Sequence, residues 1–336
     1  MKRVIVLTAL LIVSLLSASM LFAAGAKEAT SAAVPMIGVS KIITHPALDA
    51  VEKGMQDHLA AVGVAVKFDF KNANGDISTA NSIAQKFKAD KVAMVVGIAT
   101  PVAQALANTF SDIPVIFSAV TDPLAAGLVP SYGPYAGNVA GVSDMNPVEA
   151  QIALLVRLTG AKAIGNVYAS GEANGVLLNK MAADACKKLG VELVSAAVAN
   201  TSEVMSATQS IVKRVGAMYI ATDNTVISAL PSVDDVCAKA GVPLMSADPS
   251  GVEGLDFLVA WGFDYYKIGL ATGRIIEDIL KNGKNPGTIS TVFLTDPADF
   301  EMWFNLDTAK KLGITIPADL LNTAAVVFEG GKKITK

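Results

Sequence analysis

Beyond residue 34 the chain alternates between two patterns. Short β-branched apolar runs are followed by stretches in which apolar residues recur every three or four positions. That alternation predicts parallel strands joined by crossover helices. In the first half, 35–40 reads as a strand, and 47–62 as a helix with Leu48, Val51, Met55 and Leu59 on one face. Strands at 64–70, 92–98 and 114–118 and helices at 78–88 and 101–110 complete that half. Ser78 suits an N-cap, and Pro101 falls in a first helical turn, where proline is tolerated. The second half repeats the order, with strands at 163–168, 192–197, 217–221 and 243–246 and helices at 175–189, 203–212 and 225–240.

The two halves also share residues. Ile37-Gly38-Val39 returns as Ile164-Gly165-Asn166, and Ser78-Thr79-Ala80-Asn81-Ser82-Ile83 as Ser206-Ala207-Thr208-Gln209-Ser210-Ile211. Ile98-Ala99-Thr100 returns as Ile220-Ala221-Thr222, and Asp122-Pro123 as Asp248-Pro249. The matches keep one order at a spacing of about 125 residues, the mark of a duplicated α/β half. Such a duplication builds two facing lobes with a ligand cleft between them. The extended segment 138–144 lies between the halves. Two further crossings are expected, one at 257–262 before a helix at 265–281, the other at 291–294 before a strand near 302–305 and a helix at 307–312. Three crossings make a hinge that bends without twisting freely. The expected division is 34–142 plus 262–290 in one lobe and 143–261 plus 291–330 in the other.

Residues 1–26 follow a different plan: Lys2 and Arg3, an apolar run over 4–16, and the small residues Ala24-Gly25-Ala26. This is the layout of a secretory signal peptide, with an apolar core shorter than the ~20 residues of a membrane span. Lys27 becomes the first mature residue and 27–33 a flexible leader. No Cys follows the apolar run, so a lipid-modified N-terminus is not expected and the destination is the periplasm. The formal net charge is −3, and the chain grows more acidic once Lys2 and Arg3 are removed. With no basic stripe, neither nucleic acid nor an anionic membrane is an expected partner.

Cys186 and Cys237 fall in separate helical patterns and read as buried thiols, with a disulfide as the alternative in an oxidising compartment. No phosphate-binding glycine loop, His-Glu-x-x-His or Gly-x-Ser-x-Gly occurs. Of the two histidines, His58 sits on the polar side of a helix and reads as solvated, while His45 before Pro46 reads as a turn residue. Histidine-based nucleophilic or metal chemistry is therefore unsupported, and no cofactor or metal is expected.

Ligands of parallel α/β sheets bind beyond the carboxyl ends of the strands. Those ends carry Ser40 and Thr44, Thr100, Ser118, Ala119, Thr121 and Asp122 in the first half. In the second they carry Tyr168, Asp223, Asn224, Thr225 and Asp248, and Trp261 can reach the cleft through a crossing. No arginine stands among them: Arg157, Arg214 and Arg274 all fall in helical patterns. Hydroxyls and helix-start N–H groups would hold a ligand carboxylate, and the three aspartates a ligand ammonium. The inventory suits a zwitterion or a neutral polar molecule, and each residue has an ordinary alternative as an N-cap or turn residue.

Ile37-Gly38-Val39-Ser40, His45-Pro46-Ala47-Leu48-Asp49, Gly75-Asp76-Ile77-Ser78-Thr79-Ala80-Asn81 and Ile98-Ala99-Thr100-Pro101 carry a family resemblance. So do Val120-Thr121-Asp122-Pro123, Gly141-Val142-Ser143-Asp144, Gly171-Glu172-Ala173-Asn174, Thr222-Asp223-Asn224-Thr225 and Asp264-Tyr265-Tyr266. The chain resembles the ABC-transporter substrate-binding proteins of the tryptophan or aromatic amino-acid type over about 35–316. The resemblance implies a type I periplasmic-binding-protein fold: α/β, with two Rossmann-like lobes of parallel sheet and a three-stranded hinge. It also implies closure on a small molecule and delivery to a membrane permease with its ATPase. The expectation is a monomeric, non-enzymatic receptor for an amino acid, with tryptophan or phenylalanine favoured. A sensory receptor coupled to a chemoreceptor or kinase reads the same closure, and an exported enzyme is the remaining alternative.

Overall fold

A computed structural model describes residues 34–336. The expected signal peptide and leader lie outside the described residues. Strand β1 (Met36–Lys41) leads into helix α1 (Pro46–Ala61), then β2 (Lys67–Asn72), α2 (Ile77–Ala89), β3 (Met94–Ile98), α3 (Thr100–Thr109), β4 (Val115–Val120) and β5 (Val139–Ser143). The second half runs α4 (Val148–Thr159), β6 (Ala163–Ala169), α5 (Ala173–Lys188), β7 (Glu192–Val198), α6 (Val204–Ile211), β8 (Ala217–Ile220), α7 (Asn224–Ile227), α8 (Leu230–Ala240), β9 (Leu244–Ser246) and β10 (Val259–Phe263). The remainder is α9 (Tyr265–Leu280), β11 (Val292–Phe293), β12 (Phe300–Asn305), α10 (Leu306–Lys311), α11 (Ala318–Thr323), β13 (Val326–Glu329) and β14 (Lys332–Thr335).

The strands form two sheets. The first has the order β11-β5-β4-β3-β1-β2 and is parallel throughout. In the second, of order β14-β13-β12-β10-β9-β8-β6-β7, the five strands from β10 to β7 are parallel. The order β2-β1-β3-β4-β5 therefore recurs as β7-β6-β8-β9-β10, and the repeat seen in the residues is a repeat of topology. Equivalent positions keep equivalent roles. Ile37 of β1 stands opposite Met94 of β3, and Ile164 of β6 opposite Ala217 of β8.

Each sheet buries its central strands completely, as parallel sheets covered on both faces do. Leu48, Val51, Met55 and Leu59, the apolar face of α1, lie in the first core. That helix packs against α9 at a glycine contact. A Cβ on Gly54 would stand 2.2 Å from the Tyr266 carbonyl oxygen, and one on Gly269 2.4 Å from that of Val51. Only glycine lets the two backbones approach so closely. His58, read as solvated, is instead half-buried in this contact, with Nε2 2.9 Å from Glu277 of α9. Its place on the rim of α1 is polar, but α9 covers it. Cys186 and Cys237 are buried free thiols, and burial pushes them up to about 11 and about 12. The expected helix 225–240 is broken into α7 and α8 around Ala229, one residue before Leu230-Pro231 opens the second helix.

The chain passes between the sheets three times: from β5 to α4, from β10 to α9, and from β11 to β12. β11, expected with the second half, pairs with β5 of the first sheet, and the third crossing therefore begins after Phe293. A buried polar network ties the first crossing to the second. Gln151 donates to the Trp261 carbonyl at 2.6 Å and to Asn146 Oδ1 at 3.1 Å, and accepts from Tyr219 Oη at 2.7 Å. Buried polar groups left without partners are costly, so this network holds the crossing segments in register.

Candidate functional site

The carboxyl ends of both sheets face a shared, narrow cavity. The first half contributes His45, Leu48, Ala119, Thr121 and Asp144, and the second Asn174, Thr222, Asp223, Asn224, Ile227 and Asp248. Tyr265, the first residue of α9, completes the wall. Among the described residues, no Lys or Arg lines this space. Three carboxylates and an imidazole do.

Local geometry explains how each side chain arrives. β4 carries an irregularity between Ser118 and Val120, and Ala119 there has φ 52°. Ala99, at the end of β3, has φ 80°. Left-handed alanines cost energy and persist where the surroundings impose them, commonly at binding sites. Asp144 follows β5 at the first crossing and is 4% exposed. Its Oδ2 accepts from Tyr265 Oη at 2.8 Å, while Oδ1 is buried without a partner. Burial pushes its carboxyl up to about 6, against the Tyr265 hydrogen bond and with a small upward contribution from Asp248. Asp248 has Oδ1 held by Ser250 N and Oγ at 2.8 and 2.6 Å.

The second lobe is organised by Glu172, a buried residue just before α5. Its Oε1 accepts from Thr225 N and Oγ1 at 3.1 and 2.7 Å, and its Oε2 from Asn224 Nδ2 and Asn174 Nδ2 at 2.6 and 3.2 Å. Asp223 caps α7: Oδ1 accepts from Val226 N at 3.1 Å and Oδ2 from Ala169 N at 2.7 Å. Burial, and next the charge of Glu172, raise the Asp223 carboxyl well above the usual carboxylate range. His45 precedes α1, and neither ring nitrogen has a partner among the described residues. Burial lowers its pKa against the pull of Asp248. The ring is therefore neutral near pH 7 and offers one donor and one acceptor. Thr222 Oγ1 and Asn174 Oδ1 are also buried and unpartnered.

Of the residues read from strand ends, the cavity gathers Ala119, Thr121, Asp223, Asn224 and Asp248. Thr100 and Asp122 line a neighbouring cavity that shares Asn174 with the first. Asp122 Oδ1 there accepts from Leu124 N, Ala125 N and Tyr132 Oη, closing a turn. Thr225 stands behind the wall on Glu172. The others lie elsewhere. Ser40 is buried at the end of β1 outside both cavities, and Thr44 is exposed and accepts from Asn72 Nδ2. Ser118 points away from the cleft, its Oγ 2.6 Å from Thr272 Oγ1 of α9. Tyr168 is half-buried in β6 outside both cavities, and Trp261 faces a hinge pocket with Pro147, Phe300 and Met302. His45, Asp144, Glu172, Asn174, Thr222 and Tyr265 were not among the expected site residues. All six lie in the motifs that carry the family resemblance, and His45 read as a turn residue.

Chemically, the carboxylates of this lining can pair with a cationic group and its neutral donors with an anionic one. Among the described residues, no group of His, Cys, Asp and Glu is arranged to hold a metal ion.

Comparison with known proteins places this geometry. The family of ABC transporter substrate binding proteins matches residues 36–328. A curated relative, the tyrosine-binding protein of Clostridioides difficile, is 36% identical over 281 residues, covering 82% of this chain and 80% of the relative. The structure of an ABC domain in complex with L-Trp from Streptococcus pneumoniae superposes with a TM-score of 0.83 at 35% identity, covering 88% of this chain and all of the other. The ligand-free, open structure of a substrate binding protein with adhesive properties from Clostridium difficile gives 0.64 at 33% identity, covering 85% and 97%. At nearly equal identity, the lobes thus stand nearer the L-Trp complex than the open form. The architecture is that of a type I periplasmic binding protein.

Proposed function

The chain belongs to the ABC transporter substrate-binding protein family, and we propose that it is the extracytoplasmic receptor for an amino acid with an aromatic side chain. The observation that carries this reading is the acidic cavity at the junction of the lobes, which no Lys or Arg lines among the described residues. Asp144 Oδ1 and Asp248 are the partners for a ligand ammonium. They replace Asp223, whose two oxygens are taken by backbone N–H groups. His45 and Thr222, together with the backbone around Ala119 and Thr121, supply neutral donors for the carboxylate. Leu48, Ile227 and Tyr265 give the apolar surface that a ring needs. The relatives named for tyrosine and solved with L-Trp support an aromatic ligand.

Closure excludes water and strengthens every charge–dipole contact inside. The closed lobe pair then delivers the ligand to a permease and its ATPase. The expected compartment is the periplasm, reached through removal of residues 1–26.

The test is a thermal-shift series with the amino acids on chain recovered from a periplasmic fraction and stripped of co-purified ligand. L-Trp or L-Tyr should raise the melting temperature, because a ligand at about 100 times its Kd adds ~2.7 kcal/mol. No shift with any amino acid would refute the ligand class. Failure to find the chain in that fraction would refute the compartment.

A further inference from the structure

We propose that the cleft distinguishes among aromatic amino acids by requiring a hydrogen-bond donor on the ring, and that Asn174 is the residue that reads it. The proposal rests on the aromatic amino-acid reading above. Asn174 is the second residue of α5 and is 4% exposed. Its Nδ2 donates to Glu172 Oε2 at 3.2 Å and to the Thr222 carbonyl at 3.5 Å. Glu172 accepts from three further donors on Asn224 and Thr225, so it acts as an acceptor only. A flipped Asn174 amide would set its oxygen against two acceptors. The orientation is therefore fixed, and Oδ1 is the atom left over, buried and without a partner.

No donor among the described residues reaches this oxygen, so it is open to a donor from the ligand. The position of Asn174 says which end of the ligand supplies it. Among the described residues, Asn174 alone lines both the acidic cavity and its neighbour. The neighbouring chamber is walled by Ala125, Ala126, Ala173 and Leu177, with Thr100 and Asp122 at its polar side. Its apolar walls suit a ring edge, whereas Asp144 and Asp248 line only the acidic cavity. An ammonium held by those carboxylates sends the side chain past Asn174. An indole N–H or a phenol O–H meets the orphaned oxygen there, and a phenyl ring leaves it unpaired.

The experiment is calorimetry of the stripped, full mature chain with L-Trp, L-Tyr and L-Phe at pH 7, repeated on Asn174→Leu. The wild type should bind L-Phe about 10- to 100-fold more weakly than the better of L-Trp and L-Tyr, the penalty for one unmet buried acceptor. Asn174→Leu removes the acceptor and should shrink that gap to a few-fold. Equal affinity for L-Phe in the wild type would overturn the proposal, and that arm needs no variant to fold. A full gap persisting in Asn174→Leu would overturn the assignment to Asn174. Either result leaves the amino-acid reading intact, whereas binding of none of the three would remove its aromatic preference.

Discussion

Asp144→Asn should cost the receptor about 30- to 5,000-fold in amino-acid affinity while making the ligand-stripped protein more stable at pH 7. Asp144 Oδ1 is a buried acceptor without a partner at the ligand cavity, and Tyr265 holds Oδ2. Removing one member of a buried, hydrogen-bonded charge pair costs about 2–5 kcal/mol. The opposite effect on stability follows from the raised carboxyl. Burial moves it from 3.8 to about 6, so between those values the folded protein keeps a proton that the unfolded chain has released. Stability from this group is present at low pH and declines as pH rises from about 4 to 6, by up to ~3 kcal/mol. The asparagine variant has no such loss. Urea unfolding of the stripped proteins should show the variant ahead by about 1–3 kcal/mol at pH 7 and level with wild type near pH 4. Wild-type affinity should also fall below pH 6, by up to about tenfold per unit, while the variant lacks this limb. Unchanged affinity, or the same stability difference at both pH values, would remove Asp144 from its assigned place.

Glu172→Gln should be nearly as damaging, through positioning. Four donors converge on the Glu172 carboxylate from Asn174, Asn224 and Thr225. An amide offers one oxygen and places an NH₂ group against donors that then lose their partner. Each buried polar group left unsatisfied costs about 1–3 kcal/mol. The expected loss is ~2–4 kcal/mol of stability and at least about tenfold in affinity, because Asn174 and Asn224 both line the cavity. Asp223 should also ionise more readily, since the Glu172 charge is the second cause of its raised pKa. Urea unfolding together with calorimetry checks both effects, and a variant with wild-type stability would contradict the hub.

The fold was legible because duplication and periodicity are local signals. Ile37 and Ile164 mark equivalent strands, and the spacing of Leu48, Val51, Met55 and Leu59 already describes the face that α1 buries. The site was legible where a residue lies at or shortly after the end of a strand that opens on the cleft, as with Ala119, Thr121, Asp223, Asn224 and Asp248. The strand-end rule does not say which way a side chain turns. Ser118 alternates onto the face covered by α9, and Trp261 turns into the hinge. Nor does it reach residues delivered by the crossings or by neighbouring elements. Asp144 and Tyr265 meet across 121 positions of sequence, and Glu172 organises residues 52 and 53 positions away. His45 looked like a turn residue because it precedes Pro46, but it is buried and lines the cavity.

The most direct measurement is calorimetry that compares L-Trp and L-Tyr with their deaminated analogues, indole-3-propionate and 3-(4-hydroxyphenyl)propionate. Both analogues keep ring and carboxylate and lack only the ammonium. A cavity lined by Asp144, Asp223 and Asp248, with no Lys or Arg among the described residues, should bind the better parent amino acid and lose about a thousandfold or more with its analogue. An analogue that binds as tightly as its parent would show that the carboxylates do not hold the ligand.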